Sequence, residues 1–505
     1  MNVNIKSILR SAENVAYIAL CVAIANGVFF GTANYAVELG FSVWSIVIPV
    51  MVIGSLALLI CNIKDILKNS TLWLLIAYGV WILISAVRGY QAGNDIGHIT
   101  EDLQRVIYFS LFPLILTILN RESRIIKLMK IVVYGSLALS ILTIIFYISY
   151  LFLPALFDKL LYLGYYGQMI NFTRISDVIC RILFVSTPMQ LFGCAFALYF
   201  LATDRQHTIR YSIIIGLNLF CILMSFTRTL YLATFVAAAL AILLVFLKAD
   251  QKSRLFVAKG IATSVVTCAV IIVCFSTAAK TNYFGYALQR VFVTQQETPD
   301  TNINNEQGET PDSIINNEQQ ETPGSNINNE QQETPGTNPS TNETPEIPEN
   351  TTPPEEIIGF ENEDEYLQAT LLSDNIRENT KKLLQARIDT NPLCGVGLGM
   401  RLPERETPPE FFYLDLWAKT GLLGLLLFLI PACVVIIDIL KRIIRRQPFL
   451  LSAVWAVGLI GLMVYSVLQP YMNTAPCVLM YCCVLCVNAW QKKHAAEQNE
   501  IGYQA

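Results

Sequence analysis

Histidine is nearly missing: three residues in 505, at positions 98, 207 and 494. A histidine-built metal centre or a histidine relay therefore has little to work with. Charge is scarce too, with 15 % Asp, Glu, Lys and Arg against 54 % hydrophobic residues and a mean hydropathy of +0.48. That balance excludes an ordinary soluble protein, and it offers no basic patch of the kind nucleic acid requires. No Gly-Lys-Ser/Thr follows the glycines at 395, 397 and 399, and a helical pattern rather than a strand precedes them, so a nucleotide phosphate loop is excluded as well. The first apolar run has no convincing small-x-small cleavage site and more runs follow, which makes it a retained anchor.

What the chain has is long apolar runs. They fall near 14–33, 41–61, 70–87, 106–119, 131–153, 182–202, 209–226, 229–247, 255–275, 413–437, 449–468 and 473–490. Runs of this length match a bilayer core ~30 Å thick, and without strand alternation they read as helices. The expected fold is an all-α polytopic membrane protein of about twelve spans. Residues 1–275 hold nine of them, 276–412 form a large loop, 413–490 hold three, and 491–505 form a tail. With the N-terminus placed in the cytoplasm, the five cytoplasmic turns carry fifteen Lys/Arg, whereas the short outer turns carry Arg88, Arg105, Lys159, Arg174, Arg181 and Arg228. The positive-inside rule then puts both termini in the cytoplasm and the large loop outside.

Most of the thirteen cysteines lie within apolar runs, where cysteine is a small hydrophobe. Cys180 and Cys394 fall on the outer side, and a bridge between them stays open at this stage. The large loop has two unlike parts. From Val291 to Ile376 it contains nineteen Asp/Glu and no Lys/Arg, leaving the rest of the chain at +15 against the overall −4. Within 291–365 a twelve-residue unit recurs, as "TPDTNINNEQGE", "TPDSIINNEQQE" and "TPGSNINNEQQE". Units with one or two isoleucines cannot bury enough to offset chain entropy, so these repeats read as a disordered acidic tether. The second part, 366–400, has apolar residues at helical spacing. Ser373 or Asp374 is a candidate cap for a second helix, and Asn391-Pro392 ends it.

The glycines at 395, 397 and 399 sit in "NPLCGVGLGM", which resembles the "NPLxGVGLG" signature of the O-antigen ligase and O-antigen polymerase superfamily of bacterial membrane glycosyltransferases. In that family an arginine stands about fifteen residues upstream, a place filled here by Arg377. "YLDLWAKTGLLGLLLFLI" at 413–430 looks like the family's re-entry segment "YLxLLAETGLLGLLLFL". "MSFTRTLYLA" matches an "SRGA"-type helix end with Arg228 in the arginine place, and "RILFVSTPMQLFGCAFAL" from Arg181 looks like its Arg-to-Pro-Asn segment, with Met189 where asparagine is usual. Two departures stand out. Glu410 occupies the place of the ligase histidine three residues before Tyr413, and Lys419 replaces the acid of "AETG".

The resemblance implies a glycosyltransferase of the bacterial inner membrane that needs no metal or cofactor. Its donor would be an undecaprenyl-diphosphate-linked oligosaccharide, its acceptor a glycan or a lipid, and other polysaccharide-assembly proteins its neighbours. The missing histidine favours a polymerase over a ligase, and a lipid-linked oligosaccharide transporter is the reading from another class. On the polymerase reading Arg228 and Arg377 grip the leaving diphosphate, since a guanidinium matches phosphate oxygens bidentately. Glu410 is the candidate base, its pKa open to being raised by burial against Phe411, Phe412 and Tyr413, with His98 and Asp102 as further outer-face candidates. Arg181, Arg174, Gly395, Gly397, Gly399 and Tyr413 are the candidate substrate-binding residues. The glycines would form the close turn that returns the Arg377 helix to the membrane, so that Arg377 faces Arg228.

Removing residues 298–345 is expected to leave transfer within a few fold of the intact chain, measured as polymer made by cells expressing equal amounts of each. A stably inserted deletion without activity would give the acidic segment a part in the chemistry.

Overall fold

The computed structural model describes residues 2–31, 43–166, 169–175, 178–248, 251–292, 363–402 and 409–504. From residue 293 on, the acidic repeats lie outside the described residues. The chain starts with α1 (Asn2–Phe29), α2 (Val43–Leu67) and α3 (Ser70–Gln91), then α4 (Ile96–Ile107), α5 (Phe112–Ile118), α6 (Glu122–Phe152) and α7 (Pro154–Tyr166). A hairpin of β1 (Ile170–Arg174) and β2 (Cys180–Phe184) leads into α8 (Gln190–Thr203), α9 (Thr208–Met224), α10 (Arg228–Lys248), α11 (Gln251–Ala279) and α12 (Tyr283–Phe292). After the repeats come α13 (Glu363–Thr390), α14 (Phe412–Ile444), α15 (Leu450–Tyr465) and α16 (Ala475–Gln504).

The chain is a helical membrane protein. Among the described residues eight helices are long and apolar enough to cross a bilayer: α1, α2, α3, α6, α9 with the turn before it, α10, α11 and α14. Their outer surfaces are greasy, with Ile53, Leu83, Phe235 and Val273 more than half exposed. Inside the bundle Ser136 and Ser140 of α6, Asn218 of α9 and Gln190 of α8 are fully buried. Asn218 accepts from Ser140 at 2.7 Å and donates to Ser136 at 3.1 Å, and Gln190 donates to Ser140 at 3.2 Å. Apolar outside and hydrogen-bonded polar inside is the arrangement lipid selects.

Four of the twelve expected spans take another form. The run at 106–119 is split by a 3-10 turn at Tyr108–Leu111, with Pro113 in the first turn of a seven-residue α5. The run at 182–202 begins as β2, and its helix α8 has 14 residues. Helix α15 has 16 residues, and the apolar part of α16 is the first half of a 30-residue helix with a polar end. In α8, α15 and α16 the large side chains Phe192, Phe196, Trp455 and Tyr481 are buried against other helices. Apolarity there reflects a protein core rather than a lipid contact, and a sequence cannot tell the two apart. The hairpin was not expected, because "CRILF" reads equally well as the start of a helix. Helix α13 runs unbroken through Ser373 and Asp374, so neither caps a second helix. Cys180 and Cys394 are free thiols.

One feature ties both ends of the chain together. Helix α14 is broken at Gly421, whose φ of 73° and ψ of 178° are not helical. In an unbroken helix the amides of Leu422 and Leu423 would donate to the carbonyls of Ala418 and Lys419. Here they donate to Pro392 (2.9 Å) and Leu393 (3.2 Å), while the two carbonyls accept from the amides of Val396 (2.8 Å) and Gly397 (2.9 Å). The glycine loop thus satisfies all four groups that the break releases. Arg88 at the end of α3 grips the loop in turn, donating to the carbonyls of Cys394 (2.5 Å) and Gly395 (2.6 Å). The Leu398 amide donates to Ser85 at 3.0 Å, and Trp81 donates to the Thr420 carbonyl at 2.8 Å.

Gly397 shows why no side chain fits. Its φ is 105°, and an added Cβ would come within 2.9 Å of the Arg88 carbonyl carbon and closer still to the backbone of Gly89. Gly397→Val is therefore expected to destabilise the protein by at least about 3 kcal/mol, through left-handed strain and backbone collision together. Melting in detergent checks this. Wild-type melting with normal transfer would refute this description of the loop.

Candidate functional site

Helix α9 ends at Met224 and α10 begins at Arg228, leaving Ser225, Phe226 and Thr227 to make the turn. Phe226 has a φ of 47°, a conformation that costs a non-glycine residue about 1–2 kcal/mol. Its ring is buried edge-on to Tyr286, with centroids 5.3 Å apart. Arg181 on β2 braces the turn, its Nε donating to the Ser225 carbonyl at 3.1 Å and its Nη2 to the Thr227 hydroxyl at 3.3 Å. The Tyr147 hydroxyl adds a contact to the Met224 carbonyl at 2.8 Å. The turn fixes Arg228 as the first residue of α10, where the helix dipole adds to its positive charge.

Arg377 comes from α13, which is seated on α14 through Leu384 and Ile388, packed with Met400, Leu402, Phe411 and Ala418. Asp374, three residues before Arg377, bridges the two arginines. One of its oxygens lies 3.5 Å from Arg228 and the other 3.3 Å from Arg377. Glu410 takes the Nε of Arg377 at 2.6 Å. Burial pulls the Arg377 guanidinium down, but Glu410 and Asp374 more than offset that and hold it above its ordinary value. All four side chains keep 30–43 % of their surface exposed. Ion pairs this open are worth about 0–1 kcal/mol each, so the arginines are held in place yet available.

A cleft of about 540 Å³ opens between α9, α10 and α11, lined by Leu223, Tyr231, Phe235, Cys268, Ile272 and Phe284. Tyr231, in the lining of this cleft, lies one helical turn along α10 from Arg228.

A second, closed charge network lies beside the glycine loop. Lys419 is buried and pairs with Asp415 at 2.9 Å and Asp102 at 3.1 Å. Asp102 also accepts the Gly399 amide at 2.9 Å and meets Arg105 (3.3 Å) and Arg401 (3.5 Å). Burial alone would raise the Asp102 carboxyl. Lys419, the Gly399 amide, Arg401 and Arg105 overcome that and hold it below its ordinary value. Asp102 is thus spent on holding the loop, which removes it as a candidate base. The lysine that departs from "AETG" is matched by two acids.

The structure brings Arg228, Arg377 and Glu410 together, with Arg181 one turn behind them. Gly395, Gly397 and Gly399 stand apart, in the loop joining α13 to α14. The hydroxyl of Tyr413 donates to the Met463 carbonyl at 2.8 Å and ties α14 to α15, which leaves its substrate-binding part without support. Arg181 pairs across the hairpin with Thr173 and Arg174 with Cys180, so the two arginines leave the hairpin on opposite faces. Glu410 meets a guanidinium, while Phe411 and Phe412 pack into separate apolar clusters. The expected enclosure of its carboxyl by those rings is not what is found. Asp374 and Arg88 were missed as site residues. The three-residue spacing of Asp374 and Arg377 was the available signal for the first, whereas nothing in the sequence pointed to Arg88. Compared with known proteins, the chain matches no family model, no curated protein and no solved structure.

Asp102→Ala removes the shared partner of Lys419, Arg401 and the Gly399 amide. Breaking a buried pair costs about 3–5 kcal/mol. Thermal unfolding in detergent should show a loss of that order, and a change below about 1 kcal/mol would contradict the network's role.

Proposed function

We propose that the protein is a membrane glycosyltransferase of polysaccharide assembly, extending a glycan from a donor oligosaccharide carried on undecaprenyl diphosphate. The observation that carries this reading is the convergence of Arg228 and Arg377, 149 positions apart in sequence, on one acidic bridge, with an apolar cleft whose lining includes Tyr231, one helical turn from Arg228. A ligand with two negative charges and a long apolar tail fits both halves of that arrangement. On this reading there are twelve membrane passes, with α5, α8, α15 and α16 completing the eight long spans. The termini are cytoplasmic, and the arginine site faces outward across the bacterial inner membrane.

A hydroxyl of the acceptor sugar attacks the anomeric carbon of the donor, and its proton passes to Glu410. The bond from that carbon to the diphosphate breaks, and the oxygen leaves with the electron pair. Arg228 and Arg377 neutralise the leaving diphosphate, each charged hydrogen bond contributing about 1.5–3 kcal/mol. The amide end of α10 adds to their field, and Arg181 works by keeping the Ser225–Thr227 turn in shape. Glu410 in place of a histidine favours polymerase over ligase within this reading.

In proteoliposomes with a lipid-linked repeat unit, Arg228→Ala and Arg377→Ala are expected to lower transfer at least 100-fold, which is about 2.7 kcal/mol. Their Lys counterparts should recover only part of it, because the bidentate fork is lost. Arginines that serve only at the surface would tolerate Arg228→Lys fully and Arg377→Ala nearly so. Cells lacking the protein separate the two transferases. Single units left on the carrier mark a polymerase, and full-length polymer left on the carrier marks a ligase.

A further inference from the structure

We propose that Asp374 is a built-in stand-in for the donor's diphosphate, occupying the arginine pair until the donor displaces it and returning to help expel the lipid diphosphate afterwards. The inference rests on the diphosphate reading of Arg228 and Arg377. Its geometric basis is the way the carboxylate is shared. One oxygen faces Arg228 at 3.5 Å and the other faces Arg377 at 3.3 Å, as two oxygens of a bridging phosphate would. These separations are longer than the ~2.7–2.9 Å of a strong charged hydrogen bond. Asp102 in the buried network beside the loop has similar separations of 3.1–3.5 Å, but that carboxylate is only 6 % exposed. The side chain of Asp374 is 42 % exposed, so it can turn to water without unfolding anything, and it sits mid-helix, where α13 does not need it as a cap.

The placement also removes a conflict between the two arginines. Two guanidinium groups facing each other repel, and a single carboxylate between them replaces that repulsion with two attractions. A diphosphate carries more charge than a carboxylate and takes the bridge over. When the sugar has been transferred, the same carboxylate competes with the lipid diphosphate for the arginines and favours its departure. Asp374 therefore weakens anion binding, and its removal is a gain of affinity. A residue that merely supported the site would lose affinity on substitution.

The test uses the full-length protein in nanodiscs, with inorganic pyrophosphate as the probe in calorimetry and pyrophosphate inhibition of transfer as a second readout. Asp374→Asn keeps the shape and removes the charge, and is expected to bind pyrophosphate about three- to tenfold tighter than wild type. Asp374→Ala should do the same, with Arg228→Ala losing the binding. Unchanged or weaker binding by both Asp374 variants, while wild type binds and Arg228→Ala does not, overturns the stand-in and leaves the diphosphate reading in place. Binding that is absent throughout, or indifferent to Arg228, overturns the diphosphate reading and the stand-in with it.

Discussion

A backbone amide in the low-dielectric interior of a membrane protein must find a partner within the protein, and the break in α14 turns that constraint into architecture. Four backbone groups around Gly421 lose their helical partners, and the segment 392–397 supplies all four. Because that segment follows directly on α13, satisfying the break also fixes where α13 begins its return, and hence where Arg377 stands. The chain opens α14 once more at Pro431. There the hydroxyl of Tyr481 accepts from the Ala432 amide at 3.0 Å and donates to the Phe428 carbonyl at 2.8 Å, filling the gap from a neighbouring helix. In both places the interruption becomes a joint between distant parts of the sequence.

The two charge clusters near this joint differ in a way that separates support from chemistry. Around Asp102 the carboxylate is buried, and removing any one partner leaves another charge stranded. Around Asp374 the separations are similar, but the side chains are half exposed. Electrostatics in the first cluster resist exchange, whereas in the second the water shell already competes with every pair. The strained turn at Phe226 fits the same division, since its cost is borne by the apolar contacts and by Arg181 rather than by the arginine it presents.

The sequence made the membrane character legible through hydropathy, and the end of α13 through Asn391-Pro392. It also singled out Arg228, Arg377 and Glu410. What it hid has physical causes. Central helices such as α15 are buried by protein, so hydropathy alone does not tell a protein-enclosed helix from a lipid-facing one. The hairpin at 170–184 carries too few residues for its alternation to stand out. The three glycines suggested close approach, but a partner loop inside a helix break is a tertiary fact, set by Ser85, Arg88 and Gly421, more than 300 and about 25 residues away from the loop in opposite directions.

Lys419 illustrates how a local departure becomes intelligible only in three dimensions. Read along the chain, a lysine inside an apolar segment looks like a defect, because an unpaired ammonium there would be costly. In the fold its carbonyl accepts from the glycine loop while its ammonium reaches Asp102, whose other oxygen contacts draw in Arg105 and Arg401 from both sides of that loop. Backbone and side chain of one residue therefore secure the same segment through independent interactions. The ammonium of Lys419 is tolerated because the neighbouring acids form a site for it, and the arginine cluster has carboxylates of its own. The loop is held by the buried set of charges, and the half-exposed set links α13 to α10.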